Sequence, residues 1–248
     1  MRIGHASIDE NKKSKGGKAG DQTGKEVCIR EFYKKPWVYL LRCNDPARAE
    51  KMAHACETMC QNNCIGYDQN QRNTLSKELK ILNWNYELLR TPCECDCSAF
   101  MTVCAQCAGI DIPYLSGNAP TTSTMVKVFK NTGMFDVITS SIISEESSLK
   151  RGDILVGAPG THTVMVLDDG IPRHIQTRRT IKLGMGGSDV IIIQKILVKE
   201  GYDVGKCGID GQYGKDTQAA VKKFQKDKGL VADGIVGTKT WCMLEKYN

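Results

Sequence analysis

Two eight-residue stretches near the end of the chain repeat one pattern, and that pattern restricts what can fold around it. Asp210-Gly-Gln-Tyr-Gly-Lys-Asp-Thr217 and Asp233-Gly-Ile-Val-Gly-Thr-Lys-Thr240 both read D-G-x-x-G-x-x-T. Each predicts a glycine-rich turn running into a helix capped near its Thr, because Asp side chains bond nearby backbone and Gly tolerates positive φ. The following helices are expected over Gln218 to Lys228, with Val221 and Phe224 inward, and over Trp241 to Lys246. An earlier helix, Asp189 to Glu200, stops at Gly201. Three short helices make a small module with a small core, over residues 183–248.

Upstream the periodicity changes along the chain. Asp45-Pro46 reads as an N-cap followed by proline in the first helical turn, and Ala49, Met52, Ala53, Cys56, Met59 and Cys60 form a helical stripe behind it. Leu75, Leu79 and Leu82 predict a second helix. Cys97, Phe100, Met101, Cys104, Cys107 and Ala108 predict a third, with Gly109 at its C-cap. From Arg151 the texture is β: Asp153 to Val156 and His162 to Leu167 are short β-branched runs separated by Gly157-Ala-Pro-Gly160. Helices first and antiparallel strands afterwards predict an α+β domain over residues 1–170. Asn11 to Lys25, rich in Lys and Gly, reads as a loop or flexible arm, and the basic stretch 171–182 as a linker.

Composition excludes several classes. A chain of 248 residues with 41% hydrophobic and 25% charged residues is neither disordered nor collagen-like. No apolar run approaches the roughly 18 residues of a membrane span. Met1-Arg2-Ile3-Gly4-His5 lacks the apolar core of a secretory signal, so the chain is expected to be made in the cytoplasm and to reach any outside target after release. A net charge of +6 suits an acidic surface such as a wall polymer or nucleic acid without requiring either. Ten of the twelve cysteines fall between Cys28 and Cys107. Without an export signal they read as reduced thiols in a core, not as a disulfide framework, and the pairing of Cys207 with Cys242 stays open.

Among these thiols Cys97 stands apart. It opens the third helix, between Asp96 and Ser98, where the helix dipole and unpaired N–H groups favour a thiolate and can hold an oxyanion beside it. A thiolate nucleophile needs a base. Of four histidines, His54 lies within a helix and His5 in the arm. His162 begins a strand, and His174 follows twelve residues later, near it if Ile171 to Gln176 returns as the next strand. Two other patterns carry less. Arg151-Gly152-Asp153 spells an adhesion tripeptide but reads as the entry to a strand. Cys93-x-Cys95-x-Cys97 is spaced too tightly for a usual zinc site, and Cys104-x-x-Cys107 lies inside a helix, so neither metal nor cofactor is expected.

Asp96-Cys97-Ser98-Ala99-Phe100, then Gly152-Asp153-Ile154 and Gly160-Thr-His162-Thr-Val, resemble the NlpC-type papain-like cysteine peptidases of bacterial walls. Ile65-Gly66-Tyr67-Asp68 resembles the tyrosine segment of that family. The resemblance implies a papain-like α+β domain in which Cys97 is the nucleophile, His162 the general base and Tyr67 a substrate or oxyanion contact. Asp96 would orient the turn beside the substrate. His174 is the preferred third catalytic residue, with Asp168 and Asp21 as competitors. Gly20 to Val27 and Lys35-Pro36-Trp37 look like the extension of phage and clostridial wall lysins. The repeats, with Val190, Gln194, Leu197, Phe224, Gln225 and Leu244, resemble the three-helix peptidoglycan-binding domain. That likeness implies a groove near Gln212, Tyr213 and Trp241. Together they imply an endolysin-like peptidoglycan hydrolase with no nucleic-acid partner and no membrane insertion. The bond would be the γ-D-glutamyl–diamino acid link or the muramoyl–L-alanine amide. A wall-binding protein with a dead hydrolase fold is the rival.

Overall fold

The computed structural model describes residues 1–139, 143, 145–171 and 173–247, the side chains of residues 173 and 174 excepted. The chain divides into two units, Met1–Gly170 and Ile171–Asn248. The first is built on a six-stranded antiparallel sheet of order β2-β1-β8-β7-β3-β6. Its strands are β1 (Arg2–Ala6), β2 (Val27–Glu31), β3 (Trp37–Cys43), β6 (Phe135–Ile138), β7 (Ile154–Gly157) and β8 (Thr163–Val166). β4 (Ile65–Tyr67) and β5 (Cys93–Cys95) form a separate two-stranded parallel ribbon. The helices are α1 (Pro46–Met59), α2 (Thr74–Ile81), α3 (Cys97–Cys107) and α4 (Met125–Asn131).

α1 forms because Asp45 accepts the free N–H groups of Ala47 and Arg48, with Pro46 at the first helical position. Its stripe of Met52, Ala53, Cys56 and Met59 packs against α3, and both lie on the sheet. Ala6, Leu41, Ile154 and Met165 face these helices, while Ile3, Leu40, Leu155, Val164 and Val166 face a second cluster with Trp37, Ile143 and Leu149. Alternation along each strand thus divides one sheet between two cores. All ten cysteines of this unit are free thiols, and Cys43, Cys56, Cys93, Cys95, Cys97 and Cys104 are buried.

The element order departs from the sequence reading, because β1, β2 and β3 precede the helices that it places first. Residues 11–25 are a loop and not a free arm. Asp21 Oδ1 accepts the backbone N–H groups of Thr23 (2.8 Å) and Gly24 (2.6 Å), its Oδ2 accepts that of Glu26 (3.0 Å), and Gly16 N–H donates to Asp68 (2.8 Å). The residues before the loop form β1, inside the sheet between β2 and β8. The adhesion tripeptide is the entry to a strand, β7, as the sequence reading expects, and it is wholly engaged by the fold. Asp153 is buried and receives both Nε (2.8 Å) and Nη2 (2.6 Å) of Arg42, and Arg151 pairs with Glu50 (2.8 Å) and Glu57 (2.6 Å). Gly152 has φ +88°, and a Cβ there would stand 2.5 Å from the Ala49 carbonyl oxygen, so only glycine fits.

The second unit holds α5 (Arg173–Gln176), α6 (Ser188–Lys199), α7 (Lys215–Asp227) and α8 (Thr238–Glu245). Each repeat is organised by one buried glutamine from the preceding helix. Gln194 donates to Asp210 (2.8 Å), the Gln212 carbonyl (3.1 Å) and Thr217 (3.2 Å), and accepts from Gly211 N–H (2.8 Å). Gln225 repeats the set with Asp233 (3.0 Å), Ile235 (2.9 Å), Thr240 (3.1 Å) and Gly234 (2.8 Å). The expectation that the Thr lies at the cap is corrected: Gly214 and Gly237 occupy the N-caps, and the Thr hydroxyls are committed to the glutamines. Residues 171–182 are not a free linker either. Ile175 and Ile181 are buried in this unit's core, and Ile181 exchanges backbone hydrogen bonds with Val236 (3.1 and 2.8 Å).

Candidate active site

Cys97 is the first residue of α3. Asp96 Oδ1 caps the helix by accepting Ala99 N–H (2.8 Å), and Ser98 Oγ donates to the same oxygen (3.0 Å). Arg72 then fixes the Asp96 carboxylate through Nε at 2.6 Å, donates to Ser98 Oγ (2.8 Å), and holds the carbonyls of Ala119 (2.8 Å) and Pro120 (3.1 Å). Asp96 therefore orients the turn that sets Cys97 at the head of α3, as the resemblance implies. No motif in the sequence around Arg72 marks it as the partner of Asp96. The backbone N–H groups of Thr163 and Ser98 are directed at the Cys97 sulfur, which puts the start of β8, and His162 before it, beside α3.

Burial, reinforced by the Asp96 carboxylate, pushes the Cys97 thiol up to about 12, against the pull of those two N–H groups and Arg72. Burial, with Lys35 and Arg30 adding to it, holds His162 down at about 4. The thiolate expected from the helix dipole is thus corrected. The desolvation of a nearly enclosed sulfur outweighs the dipole, and both groups are neutral at rest.

The group at His162 Nε2 is His5 Nδ1, at 3.2 Å, with the rings edge-to-face at 5.4 Å. The pairing follows from register. Ile3 lies opposite Val166 and Gly4 opposite Met165, so two steps on His5 faces Val164, and His162 is the next residue of that strand face. His5 is buried, and desolvation together with His162 and Arg30 depresses it to about 3. Its other nitrogen, Nε2, lies 3.5 Å from Cys28 Sγ. Sequence reasoning places His5 in an arm because a strand of five residues at the very start carries too little periodicity to be recognised.

Other expected positions are placed as follows. Tyr67 lies on β4, nearly buried, its hydroxyl accepting from Gln69 Nε2 (3.2 Å) and its acidity weakened by burial and by the field of Cys97. His174 falls on α5 in the second unit instead of on a returning strand, and its side chain lies outside the described residues. Asp168 is taken up by Arg2, whose Nη2 is 2.6 Å away and whose backbone N–H is 2.7 Å away. Asp21 is taken up by its own loop. Tyr213 and Trp241 are core residues, not groove contacts: each is 1% exposed, with Tyr213 Oη donating to the Gly234 carbonyl (3.0 Å) and Trp241 Nε1 to that of Arg179 (3.1 Å). Gln212 remains exposed. Near His5, Tyr33 stacks edgewise at 6.5 Å and lies 5.9 Å from Trp37, with Arg30 over Tyr33 and Lys35 over Trp37. Among the described residues, no group of three or more His, Cys, Asp or Glu side chains is arranged to hold a metal ion.

Cys97 at the head of α3, His162 just before β8 and His5 on β1 make up the candidate site, and comparison with known proteins places the chain. Residues 3–172 match the family model described as Endolysin-like domain, and the chain belongs to that family. Residues 186–244 match the model described as Putative peptidoglycan binding domain. The chain is similar to a probable N-acetylmuramoyl-L-alanine amidase of Bacillus licheniformis, 47% identical over 24% of this chain and 17% of that protein. It is also similar to the N-acetylmuramoyl-L-alanine amidase CwlL of the same organism, 42% identical over 40% of this chain and 28% of that one. The crystal structure of the Burkholderia AP3 phage endolysin is 44% identical over 27% of this chain and 25% of its own, with a TM-score of 0.25. The chain thus spans less than a third of the length of these two curated relatives.

Proposed function

We propose that the chain is a peptidoglycan hydrolase that cleaves an amide bond through Cys97 and His162 on a papain-like α+β domain, with His5 as the orienting third residue. The observation that carries this reading is the convergence on one sulfur. Cys97 opens a capped helix, the Thr163 amide just after His162 reaches its Sγ, and His5 engages His162 through Nε2 and not Nδ1. The second unit, with its match to peptidoglycan-binding domains, holds the catalyst on the wall.

The reaction begins from a neutral pair. Cys97 Sγ attacks the carbonyl carbon while its proton passes to His162 Nδ1, and the N–H groups at the start of α3 receive the oxyanion. The imidazolium then protonates the leaving amine, and the C–N bond breaks to leave a thioester. Water, losing a proton to His162, releases the acid and restores the thiol. His5 keeps the imidazole turned toward sulfur and stabilises it while charged. This is the part a third residue plays in Cys–His and Ser–His enzymes.

Two bonds fit this chemistry. The NlpC-like order of motifs points to the γ-D-glutamyl–diamino acid link, and the names of the two curated relatives point to the muramoyl–L-alanine amide. The test is clearing of a Gram-positive wall suspension by the wild type, Cys97→Ala and His162→Ala, with mass analysis of the released fragments. Clearing by the wild type alone supports the reading, and the new termini identify the bond. Equal clearing by all three refutes the pair, and no clearing by any of them leaves a wall-binding protein.

A further inference from the structure

Cys28 lies directly opposite His5 in the β1–β2 ladder, outside the catalytic set just described but in contact with it. Four groups stand in line. Cys28 Sγ is 3.3 Å from the Lys25 carbonyl oxygen and 3.5 Å from His5 Nε2, and His5 Nδ1 is 3.2 Å from His162 Nε2. Each neutral imidazole has one donor nitrogen and one acceptor, and a thiol has one hydrogen. Once that hydrogen goes to the Lys25 carbonyl, which can only accept, every other hydrogen is determined. The Cys28 sulfur must accept, so His5 carries its proton on Nε2. His5 Nδ1 is then an acceptor, so His162 carries its proton on Nε2, and His162 Nδ1 is left with a lone pair. That is the tautomer able to take a proton from Cys97. If Cys28 instead donated to His5, both rings would flip and His162 Nδ1 would already be protonated.

We propose that Cys28 is a positioning residue whose thiol, anchored on the Lys25 carbonyl, fixes the tautomers of His5 and His162 and so makes His162 competent as a base. The depressed basicity of both rings supports this, since only neutral imidazoles have tautomers to choose between. The anchoring carbonyl belongs to the loop capped by Asp21, whose carboxylate also accepts from Lys25 N–H at 3.3 Å. The lysin-like extension thereby holds the acceptor that sets the direction of the hydrogen-bond chain.

The kinetic consequence rests on the hydrolase reading above; the tautomer assignment does not. The experiment is therefore 15N NMR of the histidine rings in the full-length protein near pH 7, with kcat and KM measured in parallel on wall fragments. Wild type is expected to show Nε2–H on both rings. Cys28→Ser, which keeps one donor and two acceptors, is expected to keep that pattern. Cys28→Ala is expected to mix the tautomers and to lower kcat about tenfold with KM little changed. Nδ1–H on either ring of the wild type, or an unmixed Nε2–H pattern in a folded Cys28→Ala protein, overturns the proposal. Should Cys28→Ala not fold, the wild-type and serine spectra decide it. A wild type inactive on walls with the expected ring pattern would count against the hydrolase reading alone.

Discussion

The buried, neutral histidine pair makes the first unit sensitive to mild acid, and the size of the effect can be worked out. An unfolded histidine has a pKa near 6.5, whereas His5 titrates at about 3 and His162 at about 4 in the folded chain. Between these values the unfolded state binds more protons, so unfolding becomes easier as pH falls from 6.5 toward 4, and the stability returns as pH rises. At pH 5 an unfolded histidine gains about 2 kcal/mol from protonation that the folded one does not. At pH 7 the gain is only about 0.2 kcal/mol. Going from pH 7 to 5 should thus remove about 2 kcal/mol through His5, and somewhat less through His162, which keeps an edge open to water. His5→Asn retains an acceptor near the position of Nδ1 and cannot titrate, so its loss over the same interval should be about 2 kcal/mol smaller. Urea unfolding of the full chain, read by pulse proteolysis so that the first unit reports through its own fragments, measures both. Equal losses in wild type and His5→Asn would refute the buried neutral pair.

Other consequences are more direct. Arg72→Met leaves the buried Asp96 carboxylate uncompensated and should destabilise the first unit by about 3–5 kcal/mol, seen as a lower urea midpoint. Gln225→Ala removes four hydrogen bonds from the second repeat and should cost about 2–4 kcal/mol. Hydrogen exchange should show that loss in the amides around Gly234 and α8, with β1 and β8 unaffected. Because His162 must be neutral to act, kcat/KM on wall fragments should stay level down to about pH 5 and fall as pH drops through about 4. A fall centred near pH 6.5 would mean an ordinary, solvated histidine.

Much of this is legible in the residues, and the omissions share a cause. α1 and α3 announce themselves through caps and a 3.6-residue stripe, and β7 and β8 through β-branched runs, because those signals act over neighbours in sequence. Cys97 is visible for the same reason: a helix start is a local event. His5 is not, because its meaning comes from a partner 157 residues away, and no local pattern says which strand lies beside β8. Sequence order suggests a third residue after His162, whereas the proposed one, His5, lies on β1. Tyr213 and Trp241 are misplaced by a different route. Aromatics in a loop beside a repeat look like binding residues, and only the packing shows that a module with so small a core needs both inside it.

The placement of β8 between β1 and β7 also bears on when the molecule could begin to act. A ribosome adding about 5–20 residues per second needs roughly 8–30 seconds to travel from His5 to His162. For the last part of that interval, the roughly 3–13 seconds between Cys97 and His162, Cys97 can already stand at the head of its helix, while the β1–β2 hairpin waits with one edge unoccupied. Only when β8 enters that edge do the two histidines meet. The nascent chain therefore carries the proposed nucleophile without its proposed base until almost the whole first unit has been made, and one strand both joins the sheet and brings the proposed pair together.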